Sequence, residues 1–400
     1  MASLEQTAGK TLEQRIAALL ARRTGTVEMD WHCVFKARYG MRVAFDAIRS
    51  RMGDGVVVTQ LLTCCTAVDP ILAAGLTPLY ADISADTASI DPDRLALPDD
   101  CRAVMLQHTY GIIDDAASRR LVERAHAAGA VVIEDCAHCV GRMAVDEEGY
   151  PLADISIHSF GIEKVLDTLF GGAVWVNPRS PFTEVVDELS ARLAALPAPP
   201  ARIAFVARVN RFQLRVFGHL PRPLVRGLRR VLPALGLFEP AVSDDERRGQ
   251  LPYDPMRPSR FVCEKALVAL EGLGRVEDAR AAVASVYRSE LGGVPGIEIP
   301  QAAISGDTQP LLKFPVLAAD TATADRMVSE VCRAGYYTSA WYRPELCPGV
   351  LDKAAYRVPE DRSGLVANDR FVACVATLPT DIDVAGAHRV CEVVRSVVSS

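Results

Sequence analysis

Apolar positions recur at two spacings along this chain, and the switches between them set the expected order of elements. In residues 11–22, Leu12, Ile16, Leu19 and Leu20 share one helical face and predict a short amphipathic helix. A second helix is predicted from about Arg42 to Arg51, after Tyr39-Gly40 and before Gly53. Short apolar runs then alternate with helical stretches, giving strands at 55–59, 78–82, 103–107 and 130–134 and helices at 67–74 and 116–128. A further strand, 173–176, follows the Gly171-Gly172 pair. This alternation predicts an α/β layer on a mostly parallel sheet. From 180 to 252 it stops, and Pro- and Arg-rich helical patterns take over. It resumes with a strand near 311–316, a helix over 324–334, a strand over 371–378 and a last helix from Val384. The expected organisation is an N-terminal helix and large lobe (1–179), a helical insertion (180–252) and a smaller α+β C-terminal lobe (253–400).

Composition narrows the picture. Four hundred residues exceed what one core usually holds, and 50% hydrophobic with 24% charged residues excludes a largely disordered chain. A net charge of −6 argues against a nucleic-acid partner. The longest apolar run, 56–68, is ended by Asp69 and Pro70, and Glu5 precedes any apolar stretch, so neither a membrane span nor a signal peptide is expected. A cytoplasmic protein is the expectation. Eleven cysteines cannot all pair within one chain. Cys136 and Cys139 bracket His138 in one C-x-x-C, but no second ligand pair accompanies them, so reduced thiols and no metal are expected.

Three places carry candidate chemistry. In VVIEDCAH (131–138), β-formers end in carboxylates and place Asp135 at the carboxyl end of a strand, where open α/β sheets bind ligands; a helix or turn cap is the alternative use. Lys164 lies in an apolar stretch between strand-like segments, with Ser159 five residues before it. An apolar setting suits a Schiff-base lysine, although a surface lysine laying its stem on apolar neighbours fits the same pattern. Gly40 before a helix start would leave the backbone N–H groups of Met41 and Arg42 free to cradle a phosphate.

With these sites, the segments AAGLTPLYADI (73–83), QHTYG (107–111), VIEDCAH (132–138) and SFGIEK…GGAV (159–174) resemble the DegT/DnrJ/EryC1/StrS family of sugar aminotransferases. The resemblance implies a fold-type I pyridoxal phosphate (PLP) enzyme working as a homodimer. It would move an amino group from a donor, expected to be glutamate, to a keto-sugar or related ketone. By the same resemblance Lys164 is the catalytic lysine and Asp135 meets the pyridine nitrogen. His138 would lie near the ring oxygen, Ser159 and Gly40-Met41-Arg42 would hold the phosphate, and Cys64 would stand where the family often stacks an aromatic. Ser259 or Arg260 would substitute for a phosphate contact made across the subunit interface. Other PLP chemistry at Cα is an alternative, though relatives of that kind usually replace the lysine by His.

The insertion lies outside the resemblance. Between Glu188 and Glu239 there is no acidic residue but nine arginines, at 192, 202, 208, 211, 215, 222, 226, 229 and 230. Phe205, Val209, Phe212 and Val216 share a helical face, and Leu224, Leu228, Val231 and Leu232 repeat the pattern beyond Pro221-Arg222-Pro223. Such a pair suits an anionic membrane, a diphosphate-bearing substrate or an acidic partner, or it is a solvated hairpin. A protein of this fold recruited as a binding module through 200–232 is the remaining alternative.

Overall fold

The structure, a computed structural model, describes residues 9–166 and 168–399; the reading of Glu5 lies outside them. Helix α1 (Leu12–Thr24) is closed by a reciprocal cap between Thr11 and Gln14, and buries Ile16, Ala17, Leu20 and Ala21. Strand β1 (Trp31–Val34) leads into α2 (Ala37–Met52), then β2 (Val56–Thr59), α3 (Cys65–Ala73), β3 (Thr77–Tyr80) and β4 (Cys101–Gln107). The layer continues through α4 (Asp115–Ala127), β5 (Val131–Asp135), β6 (Ile155–Ser159) and β7 (Gly172–Val176). These strands form one sheet in the order β1-β7-β6-β5-β4-β2-β3. Strands β6, β5, β4, β2 and β3 pair in parallel, while β7 runs antiparallel between β6 and β1. Helices cover both faces, and strands buried on both sides account for the near-continuous apolar runs in the sequence.

Two sequence expectations are corrected. Helix α2 begins at Ala37, not Arg42, because Ala37, Met41, Ala44 and Ile48 extend the buried helical spacing a full turn earlier. The stretch 371–378 is half helix: α11 (Val366–Cys374) precedes strand β10 (Val375–Pro379). The start of α11 is capped from far away, since the N–H groups of Ala367 and Asn368 donate to Asp82 at 3.2 and 2.9 Å. No local pattern could show that.

After β7 come α5 (Thr183–Ala194), α6 (Ala201–His219) and α7 (Arg222–Ala234), as the insertion pattern predicts. Helix α5 packs Val185, Val186, Leu189 and Leu193 into the large-lobe core, and α6 sets Ile203 and Ala207 against Phe35, Tyr39 and Phe170. Helix α7 buries no residue. Helix α8 (Arg260–Glu271) packs Cys263, Ala266, Leu267 and Leu270 with α1. The small lobe has helix α9 (Leu273–Leu291) and β8 (Ile297–Glu298), β9 (Lys313–Ala318), α10 (Thr321–Arg333), and α12 (Val384–Val398) after β10. Its antiparallel sheet, β10-β9-β8, shares a core of Tyr287, Phe314, Met327 and Val390 with those helices. No described helix is long and apolar enough to cross a membrane. All eleven cysteines are unpaired and most are buried, among them Cys136 and Cys139.

Candidate active site

The sheet order brings four chain ends to one edge. Strands β4, β5 and β6 point the same way and end at Gln107, Asp135 and Ser159, with Gln107 opposite Asp135 in register. Strand β1, antiparallel to β7, runs in the direction of β6, so the start of α2 arrives at the same edge. All of them line a cavity of about 560 Å³. Gly172 makes this possible: a Cβ there would meet the backbone nitrogen of Ala37 and the carbonyl oxygen of His158, each at 2.8 Å. Neighbouring Gly171 adopts φ +108°, and its N–H donates to the Phe35 carbonyl at 2.7 Å. The glycine pair thus seats the first turn of α2 against the sheet.

Alternation along β5 separates its two carboxylates. Glu134, fully buried, accepts from the Ala144 N–H at 2.7 Å and the Ser156 hydroxyl, and pairs with His108 Nε2 at 2.7 Å. Burial alone would raise its pKa, but these hydrogen bonds and the His108 charge hold it below the ordinary value. Ligand-type atoms of His108, Glu134 and Cys136 come within 4.8 Å of one another, yet Glu134 is already committed to these three donors. Asp135 faces the cavity instead, and among the described residues only the Ala137 N–H donates to it, at 2.9 Å. Burial pushes its pKa up, partly offset by Ala137 and the Lys164 charge. It is a carboxylate awaiting a cation.

Lys164 lies on the connection between β6 and β7. Its N–H donates to Gly161 at 3.3 Å, and Glu163 before it takes a left-handed φ of +58° while accepting from the Tyr337 hydroxyl at 3.2 Å. The ammonium stands 5.2 Å from the centre of the Trp341 ring. Burial lowers its pKa against the opposing charges of Cys64 and Asp135, which favours the free amine.

His138 is fixed at both ring nitrogens. Nδ1 accepts from the Tyr110 N–H at 3.0 Å, so Nε2 carries the proton toward the Tyr342 hydroxyl at 2.8 Å. Burial, then Lys164 and His108, holds its pKa well below the usual range. Its ring stacks on Trp341, centroids 5.5 Å apart at 25°. Cys64 also lines the cavity; a hydrogen bond from the Cys65 thiol, with help from Lys164 and Thr66 and against burial, pulls its pKa down to about 6. Beside it, the Thr63 hydroxyl donates to Gln107.

The predicted residues divide. Lys164, Asp135, His138, Ser159, Cys64 and Met41 all line the cavity. Gly40 and Arg42 are corrected: with α2 starting at Ala37, Gly40 lies inside the first turn, where a Cβ would strike Val174 at 2.5 Å, and Arg42 pairs with Asp46 at 2.8 Å. Lys36, Ala37 and Arg38 hold the helix-start position instead. Lys36 pairs with Glu239, and Arg38 with Glu246, both on the segment returning from the insertion. Ser259 caps α8 through the Val262 N–H at 3.4 Å, and Arg260 is exposed and pairs with Glu264; neither lines this cavity. Trp341, Tyr342 and the Lys36–Arg38 turn escaped sequence reasoning. The apolar spacing running back to Ala37 was the one available signal.

These groups suit PLP. The first N–H groups of α2 have no side-chain cap, and among the described residues the Ser159 hydroxyl only accepts, from the Gly161 N–H at 3.3 Å, leaving donors at one end for a phosphate. Asp135 offers an unmatched carboxylate for a pyridinium, and Lys164 an amine for the aldehyde.

Residues 33–183 match the model of the DegT/DnrJ/EryC1/StrS aminotransferase family. Over 75% of the chain and 67% of the relative's length, the sequence is 26% identical to an L-glutamine:2-deoxy-scyllo-inosose aminotransferase from Streptomyces kanamyceticus. It is 30% identical to a GDP-perosamine synthase from Escherichia coli O157:H7, over 35% of the chain and only 38% of that relative. The fold matches the crystal structure of the aminotransferase TlmJ from Streptoalloteichus hindustanus with a TM-score of 0.69 at 21% identity, covering 98% of this chain and 91% of that one.

Proposed function

We propose that this chain, whose residues 33–183 belong to the DegT/DnrJ/EryC1/StrS aminotransferase family, is a PLP-dependent aminotransferase that moves an amino group from an amino acid to a keto-sugar or related ketone. The observation that carries this reading is the convergence of Lys164, Asp135 and the uncapped start of α2 on one cavity. When bound, PLP supplies an electron sink for the bond broken at the donor's Cα. The chain's own residues do the rest. Asp135 would favour a proton on the ring nitrogen by opposite charge. The α2 N–H groups and Ser159 would hold the phosphate. His138, held in one tautomer by Tyr110, would help orient the ring. Lys164 would hold the cofactor's aldehyde carbon and, once the donor's amine has displaced it, would move a proton at the donor's Cα, a role its lowered pKa favours. Trp341 covers the amine and limits water.

Glutamate is the proposed donor, and two subunits are proposed to complete each site, with Ser259 or Arg260 offered to the neighbour. Absorption spectra of PLP-saturated protein test the reaction: adding glutamate should bleach the cofactor's visible band, and adding a keto acid should restore it. Borohydride followed by peptide mapping should place the pyridoxyl group on Lys164. A spectrum indifferent to every amino acid, or an adduct elsewhere, sinks the reading.

A further inference from the structure

The helices of the insertion carry apolar side chains on a face that the rest of the molecule leaves bare. Helix α6 is apolar on two sides. One side buries Ile203, Val206, Ala207 and Phe217; the other holds Phe205, Phe212 and Val216 at spacings of seven and four, exposed by 58%, 69% and 37%. Helix α7 follows the same logic without any buried residue, and exposes Leu224 and Val231 by 51% and 52%. Two phenylalanines more than half in water are unusual for a surface that meets only solvent. Arginines flank these apolar rows, with Arg208, Arg215, Arg222, Arg226 and Arg230 all exposed.

Charge selects the occupant. No carboxylate lies between Glu188 and Glu239, so α6 and α7 carry arginines and no acid of their own within a chain of net charge −6, although Glu239, Asp244 and Asp245 share a groove with the arginines of α7. A two-fold contact would set this patch on itself and bring the arginine-rich faces of α6 and α7 against each other. A bilayer with anionic headgroups meets both demands at once: apolar side chains enter the acyl boundary while arginines reach the phosphates beside them.

We infer that the insertion docks this protein on an anionic membrane surface through α6 and α7. The docking stands apart from the reaction proposed above: Leu214 and Arg229, which line the cavity that holds Lys164, lie on the sides of α6 and α7 away from the rows of Phe205 and Leu224.

The test is flotation of the full-length protein with vesicles of phosphatidylcholine alone or mixed with phosphatidylglycerol. Binding is expected only to the mixed vesicles, and is expected to vanish in molar salt, where the screening length falls to about 3 Å. R208Q/R215Q/R226Q should bind about a hundredfold more weakly, since each basic residue near such a surface contributes on the order of 1 kcal/mol. F212S/L224S should lose at least about tenfold by forfeiting apolar insertion. Circular dichroism and melting of both variants should match the parent, which separates lost docking from lost folding. Absence of vesicle binding at low salt overturns the inference, as does binding that both variants retain. So does a parent oligomer that F212S/L224S splits while vesicles stay unbound, which would assign the face to a second copy.

Discussion

The strand-end floor of the cavity and the insertion that walls it are built on opposite principles. In the floor, polar groups are buried and two are fixed by several named partners: Glu134 by His108, Ser156 and Ala144, and His138 by Tyr110 and Tyr342. In the insertion, arginines and phenylalanines are offered to the surroundings, and α7 buries nothing. The two regions meet at buried ion pairs, Lys36 with Glu239 and Arg38 with Glu246. The lesson is a division of labour. Chemistry needs side chains held in place from several directions, so it sits on strand ends; a contact with something outside the chain needs unmatched surface, so it sits on an appended hairpin.

Substitutions can break that contrast, and the largest effect belongs to Lys164. Lys164→Ala should lower the donor half-reaction by about 10⁴-fold in stopped-flow measurements, because both the covalent attachment and the proton carrier go with it. Retained turnover would move the chemistry off the floor. Asp135→Asn should still bind PLP, but slow the same half-reaction by about 10²–10³-fold through loss of a preorganised charge. A parent-like rate would reduce Asp135 to a structural role.

At the junction, Glu246→Ala leaves Arg38 buried without its partner and should cost about 3 kcal/mol in a urea melt, with weaker PLP binding because Arg38 opens α2. The pair also sets a pH signature. Burial would raise the Glu246 carboxyl, but Arg38 and Lys36 hold it below its ordinary value of 4.5. Its stabilising contribution is therefore complete above about pH 4.5 and is lost as pH falls through the lower folded value. The parent should lose stability in that acid window more steeply than Glu246→Ala, and parallel curves would deny the coupling. The smallest effect is expected in the insertion: F212S/L224S should change melting free energy by no more than about 0.5 kcal/mol and leave the donor half-reaction untouched. A larger change would mean that those side chains support the floor after all.

The floor was also the more legible region. Asp135, Ser159 and Lys164 lie on contiguous strand–turn segments, where a β run and the turn after it place a side chain without help from distant residues. The start of α2 misled because Gly40 looks like a residue before a helix, whereas its lack of a side chain serves the approach of Val174. Trp341 and Tyr342 come from a small-lobe loop that reaches His138 across 204 positions, and α11 is capped by Asp82 across 286. Contacts of that span leave no periodicity in either partner. The insertion was legible as a basic amphipathic pair, since helical spacing and charge are local properties; which of its apolar rows would face inward depended on Phe35 and Tyr39, far upstream.

The three tryptophans make this molecule its own optical probe. Trp31 and Trp175 stand opposite each other where β1 closes on β7, both in the dry interior, so their emission reports whether the sheet edge is zipped shut. Trp341 alone stands in the cavity, under the Lys164 ammonium and against the His138 ring. Acrylamide will reach it while the other two stay dark to the quencher. One fluorescence trace therefore carries two signals, a blue-shifted component that follows the closing of a strand pair 144 residues apart in sequence and a quenchable one that follows what enters the cavity.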